Sequence, residues 1–151
     1  MRVEISRTSE LRLDRAVIEA IDAAAVTNYP HEACGLLVGR DTPAATVVER
    51  SEPARNLAVD RLTDRYLLDP DDFYAADQAA RSDGLDIVGV WHTHPDHPAQ
   101  PSPTDLEAAW PGYSYLIVSV AARGVVGRRA WRLDGDKFIE QGIEEKRACQ
   151  T

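Results

Sequence analysis

Apolar residues along the first third of the chain follow two patterns. Leu13, Ala16, Val17, Ala20, Ile21 and Ala24 recur at steps of three and four, the spacing of one helix face. They predict an amphipathic helix over residues 13–27. Tyr29-Pro30 ends it, because the residue before a proline is steered away from helical backbone. ACGLLVGR (33–40) is instead an unbroken apolar run and reads as a buried strand. ATVVERSE (45–52) reads as a second strand, joined to the first through the turn residues Asp41-Thr42-Pro43. Residues 51–64 are polar with scattered apolar positions and predict a loop, followed by a short strand in RYLLD (65–69).

Further along, Asp69 before Pro70 has the chemistry of an N-cap followed by the first helical position. The helix it opens runs to about Ser82, with Gly84 beyond its end. DIVGVWHTH (86–94) predicts a strand, SPTDLEAAW (102–110) a short helix and YSYLIVSVA (113–121) another strand. RRAWRLDG (128–135) and KFIEQGIE (137–144) follow as strands around the turn Asp134-Gly135, and a frayed tail is expected from about residue 144. No repeat or linker-like tract interrupts this order. Hairpins mixed with helical crossovers argue for one α/β domain over residues 1–151, a mixed sheet packed against helices.

Composition narrows the classes of partner. The chain has 151 residues, enough for one domain, and 44% are hydrophobic, enough for a core. The net charge of -8 opposes a phosphate backbone, so no nucleic-acid partner is expected. No window approaches the roughly 20 apolar residues of a membrane span, and MRVEISRTSE has no apolar leader core, so the expected location is cytoplasmic. Cys34 and Cys149 are far apart and are expected as free thiols, Cys34 as a small buried hydrophobe.

The chemistry concentrates in WHTHPDHPAQPSPTD (91–105). Strand residues alternate faces, so His92 and His94 point one way and Thr93 the other. Pro95 closes the strand. Ser102 then has N-cap chemistry, Pro103 suits the first helical position, and Asp105 falls three residues after the cap. Two imidazoles at a strand end and a carboxylate in a pinned first helical turn make three ligands. A fourth position is left for water, the pattern of catalytic zinc. Such a site needs a non-ligand carboxylate as base, and Glu32, at the head of the apolar strand, is the candidate. Taken singly, each residue also has a plain reading. Asp105 is a capping-box acid, Ser102 an N-cap, Glu32 a surface charge, and His31 and His97 solvated loop residues.

The set as a whole is more specific. Glu32 before an apolar strand, then His92-Thr93-His94-Pro95, then Pro101-Ser102 and Asp105, resembles the JAMM (MPN-plus) metalloprotease family over about Val3 to Glu140. The resemblance implies a single JAMM/MPN domain with a cytidine-deaminase-like layering of sheet and helices. It implies that His92, His94 and Asp105 bind one Zn2+, that Glu32 is the base, and that Ser102 donates to the oxyanion. The family often has Ser where this chain has Thr93, a departure that touches no ligand. The family cleaves next to the C-terminal Gly-Gly of ubiquitin-fold proteins, and only Ala109-Trp110-Pro111-Gly112 stands where larger members carry insertions. The compact form resembles bacterial members that process ubiquitin-fold sulfur-carrier proteins, trimming an extension or releasing an amino acid such as cysteine. Isopeptide cleavage of ubiquitin-like conjugates and a non-catalytic scaffold are the alternatives. Family members often form homodimers. A zinc nucleobase deaminase is disfavoured by the lack of C-x-x-C. Residues 51–64 are the expected substrate groove, with Arg55 and Arg61 as contacts for an acidic carrier or as solvated charges.

Overall fold

The computed structural model describes residues 10–58 and 66–146. Its elements are β1 (Glu10–Asp14), α1 (Arg15–Asn28), β2 (Cys34–Asp41), β3 (Ala45–Ala54), α2 (Pro70–Ser82), β4 (Asp86–Pro95), α3 (Pro103–Ala108), β5 (Ser114–Ala121), β6 (Gly124–Asp134), β7 (Lys137–Gln141) and β8 (Ile143–Lys146). All the strands join one sheet in the order β7-β6-β5-β4-β2-β3-β1-β8. The β1–β3, β1–β8 and β4–β5 pairs are parallel and the others antiparallel, so the sheet is mixed, as expected.

β7 and β8 flank Gly142 in the chain yet end the strand order at opposite edges. The two edges must therefore approach each other, and Leu11 N–H donates to the Gly142 carbonyl at 2.9 Å. The sheet curls round the apolar face of α1, where Val17, Ile18, Ile21 and Ala25 meet Leu11, Leu13, Leu37, Trp91 and Val118. On the other face α2 places Ala76 and Ala80 against Leu36, Val38, Ile87 and Val90.

One irregularity in β4 sets the direction of everything after it. Leu37 lies opposite Gly89 and Val38 opposite Ile87, which leaves Val88 as an extra residue, a bulge. Ile87 packs on the α2 side and Val88 on the α1 side; beyond the bulge, Val90 returns to the α2 side and Trp91 to the α1 side. Strand alternation then carries His92 and His94 to the α2 face with Val90, and Thr93 to the α1 face with Trp91. Had strict alternation run from Ile87 through Val88 without the bulge, both imidazoles would face α1.

The structure differs from the pattern-based expectations in four places. The first helix starts at Arg15, not at residue 13; Leu11 and Leu13 alternate with polar neighbours and form β1. KFIEQGIE divides at Gly142 into β7 and β8 on opposite edges. Ser51–Ala54 extend β3 instead of opening the loop, and among the described residues of RYLLD, 66–69, Leu68 forms an isolated bridge with Asn56 in place of a strand. The tail expected from about residue 144 is paired with β1 as far as Lys146. Val3, Arg61 and Cys149 lie outside the described residues.

Gly89 lets β4 and β5 come together beside the bulge: a Cβ there would stand 2.1 Å from the Ser114 carbonyl oxygen. Gly89→Ala is expected to destabilise the fold by roughly 1–3 kcal/mol through overpacking against backbone. Urea unfolding measures this, and an unchanged midpoint contradicts the close approach.

Candidate metal centre

His92 and His94 are the last same-face positions of β4 before Pro95. Both are buried, at 1% and 8% exposure, positions where histidine is uncommon without a partner. The chain turns back through 96–101 and enters α3 at Ser102. There the capping box anticipated from sequence is complete. Ser102 Oγ accepts from Asp105 N–H at 3.0 Å, and Asp105 Oδ2 accepts from Ser102 N–H at 2.9 Å. The cap aims the Asp105 carboxylate at the imidazoles: His94 Nε2 lies 3.1 Å from Oδ2 and His92 Nε2 lies 3.7 Å from Oδ1.

These three side chains fit a metal ion. One donor atom from each lies within 4.8 Å of the others. Donors about 2.0–2.2 Å from one tetrahedral ion stand roughly 3.4 Å apart, and the two separations here bracket that value. His94 Nδ1 donates to the Pro98 carbonyl at 2.8 Å, which fixes the ring and presents Nε2 to the site. The Pro98 segment is itself held, with Asp96 N–H on the Val120 carbonyl, Ser119 Oγ on the His97 carbonyl, and Tyr29 donating to the Asp96 carboxylate. Two nitrogens and one carboxylate oxygen are a donor set suited to zinc.

The protonation states agree. Burial pushes the His92 pKa down to about 4 against the pull of Asp105, so this imidazole is neutral at pH 7. Burial would raise the Asp105 pKa, but the hydrogen bond with His94, the charge of His92 and the Ser102 N–H outweigh it and hold the group at about 2. Burial opposes the charge on His94, yet its bonds to Asp105 and Pro98 prevail and its pKa is raised. A proton on His94 Nε2 therefore occupies the position a metal would take.

Glu32 sits in the turn before β2, 6% exposed, with Oε1 3.8 Å from His92 Nδ1. Glu32, His94, His97, Pro101, Ser102 and Thr104 are among the residues lining one cavity of about 530 Å³ at the mouth of the site. Thus the five residues singled out from sequence converge: three as a cluster, with Glu32 and Ser102 beside it. His97 reaches the rim of this cavity, whereas His31 is exposed outside it. Arg55 forms ion pairs with Asp69 and Asp72 at the start of α2, a structural use. Cys34 is buried, and burial with the nearby Glu32 charge raises its thiol to about 12, so it is no nucleophile.

Sequence reasoning missed several supports. Tyr66 stacks on His92 with ring centres 4.4 Å apart. Thr93 turns away from the site and secures the Glu32 segment, with Oγ1 accepting from Ala33 N–H at 2.9 Å and its own N–H donating to the Ala33 carbonyl at 3.0 Å. This bond needs only a hydroxyl at position 93, so Thr93 serves it as Ser would. Beyond Tyr66 lies an apolar cavity of about 410 Å³ between α2 and α3, walled by Val90, Phe73, Trp110 and Tyr115 among others. These contacts join residues distant in sequence and leave no local motif. Among the described residues no helix is long and apolar enough to cross a membrane.

Comparison with known proteins identifies the family and several relatives of this chain. Residues 14–134 match the family described as prokaryotic homologs of the JAB domain. A desampylase of Haloferax volcanii is 40% identical over 115 residues, 76% of this chain and 78% of its own length. A probable TtuB-protein conjugate cleaving protease of Thermus thermophilus is 37% identical over 101 residues, 66% of this chain and 64% of its own length. The solution structure of a Desulfitobacterium hafniense protein superposes with a TM-score of 0.81 at 33% identity, covering 91% of this chain and 94% of that one.

Protons and metal compete for His94, and its raised pKa sets the sign. Above that pKa the site is free to bind. Below it, affinity is expected to fall about tenfold per pH unit, one proton being displaced per ion. Competition titration with a chromophoric chelator between about pH 8 and about pH 5 reads this slope, and a flat profile contradicts the assignment of His94. His94→Ala and Asp105→Ala are expected to lose stoichiometric metal by elemental analysis.

Proposed function

The chain belongs to the family of prokaryotic homologs of the JAB domain, and from that premise we propose that it is a zinc-dependent peptidase that cuts after the C-terminal Gly-Gly of a ubiquitin-fold protein. The observation that carries this reading is the convergence of His92, His94 and Asp105 beside a buried, non-ligand Glu32. The names of the relatives, a desampylase and a conjugate cleaving protease, support cleavage of ubiquitin-like protein conjugates. They favour the isopeptide bond of a conjugate over an extension trimmed from a sulfur carrier. The two substrates share the Gly-Gly acyl half and differ in the leaving amine. A short connection over 109–113 between α3 and β5 suits a compact carrier of the sulfur-carrier type, since it holds no insertion to grip a second ubiquitin.

His92, His94 and Asp105 hold the metal, which when bound supplies Lewis acidity, polarising a carbonyl oxygen and easing deprotonation of water. Glu32 takes the proton of the attacking water and delivers it to the leaving amine, whose departure would otherwise be as an unstable anion. Ser102 Oγ already accepts from Asp105 N–H, so its own hydroxyl hydrogen is left to donate. Ser102 lines the cavity, and turned toward a bound carbonyl this hydroxyl would stabilise negative charge that grows on the oxygen only in the transition state. The N-cap role uses a lone pair of this oxygen and the oxyanion role its hydrogen, so the two are compatible.

Intact-mass spectrometry tests the reading with two substrates: a ubiquitin-fold carrier joined through Gly-Gly to a lysine side chain, and the same carrier with a peptide extension. The metal-loaded protein is expected to release the Gly-Gly terminus, fastest from the conjugate, and to stop when a chelator is added. Unchanged masses for both substrates would overturn the proposal. Glu32→Gln is expected to keep the metal and lose about 10²–10⁴-fold in kcat. Ser102→Ala is expected to lose about 10²-fold in kcat, beyond the roughly 1 kcal/mol of stability lost with the cap; a stability loss alone would leave only the cap.

A further inference from the structure

We infer that Asn56 is a positioning residue, which fastens the loop after β3 to the backbone of the base Glu32 and so keeps that carboxylate at the metal site. The inference rests on the proposed role of Glu32. Glu32 precedes β2 and so lies outside that strand. Its neighbour Ala33 is held by Thr93 through both backbone groups. The Glu32 carbonyl accepts a hydrogen bond from Asn56 Nδ2 at 3.1 Å.

The other end of the same amide organises the loop. Asn56 Oδ1 accepts from Ala58 N–H at 3.0 Å and from Leu67 N–H at 2.8 Å. Around it Leu57 N–H donates to the Leu67 carbonyl, Asp69 N–H donates to the Arg55 carbonyl, and Asn56 bridges Leu68. Arg55 N–H and its guanidinium bind Asp72, which ties this small ladder to the first turn of α2. Tyr66, the residue before Leu67, lies against His92. One side chain therefore links three things: the base segment, the loop that flanks it, and the aromatic ring on a metal ligand.

Only a primary amide meets this pattern, with a donor toward a carbonyl and an acceptor toward two N–H groups. Aspartate would keep the two loop bonds but set a carboxylate oxygen against the Glu32 carbonyl. Alanine would lose all three bonds. Proton transfer depends steeply on the placement of the base, and displacement by about 1 Å can cost as much as 10²-fold. The function of the link is thus in turnover, not in holding metal, because Asn56 supports no ligand directly.

Asn56→Ala and Asn56→Asp, each as the full metal-loaded chain, test this against the conjugate substrate. Both are expected to lower kcat about tenfold or more, with metal content unchanged and KM within about twofold. In a Glu32→Gln background, Asn56→Asp is expected to cost nothing further, since residues acting as one unit are non-additive. Full kcat in both variants, a loss that follows metal content, or a full additional loss in the Glu32→Gln background would each overturn the link. A substrate-free reading keeps this separate from the proposed activity. In Asn56→Asp, amide exchange is expected to speed at Ala33, whereas in Asn56→Ala it speeds at Ala33 and Leu67 together. Unchanged exchange at Ala33 in both would overturn the link even for an inactive protein. Failure of the wild type to cut any substrate, with Ala33 responding as expected, would instead strike the proposed function.

Discussion

A carboxylate held against two imidazoles is the interaction on which the rest of this structure depends. Asp105 is nearly buried, and burial by itself would push it toward the neutral acid. It stays ionised because His94 and the Ser102 N–H both bind its Oδ2. Neither partner is close in space by accident. The bulge at Val88 turns His92 and His94 to the α2 face, and the capping box of α3 points Asp105 back at them. Two rigid secondary-structure ends thus meet across a short loop, a geometry that preorganises ligands without relying on long, mobile side chains.

The same economy appears in the supporting residues. Ser102 caps a helix with its side-chain oxygen and also lines the cavity. Thr93, unable to reach the site because strands alternate, secures the segment that carries Glu32 instead. Strand β4 therefore presents His92 and His94 on one face and holds the Glu32 segment from the other. Tyr66 completes the enclosure of His92 and divides the polar mouth of the site from the apolar cavity beyond.

Much of this was legible from the chain, and the reasons differ by element. The convergence of His92, His94 and Asp105 was legible because they lie within fifteen residues, where period-two alternation and capping chemistry predict direction. The hairpin of β2 and β3 and the N-cap of α2 were legible from turn and cap residues; Asp69 indeed accepts from Asp71 N–H at 2.9 Å. β1 was partly absorbed into a helix, since Leu13 satisfies both a two-residue and a four-residue step. The separation of β7 from β8 was hidden because Gly142 breaks a strand without showing which edge the next one joins. Asn56 and Tyr66 could not be read at all. Their roles arise from contacts to Glu32 and His92, 24 and 26 positions away, and Asn56 alone reads as an ordinary loop residue.

The most direct test of the account is anomalous X-ray scattering from crystals grown with zinc, recorded on both sides of the metal edge. One peak per chain is predicted, about 2.0–2.2 Å from His92 Nε2, His94 Nε2 and an oxygen of Asp105, with the Glu32 carboxylate outside bonding distance. A peak elsewhere, or none between these three side chains, would contradict the central claim.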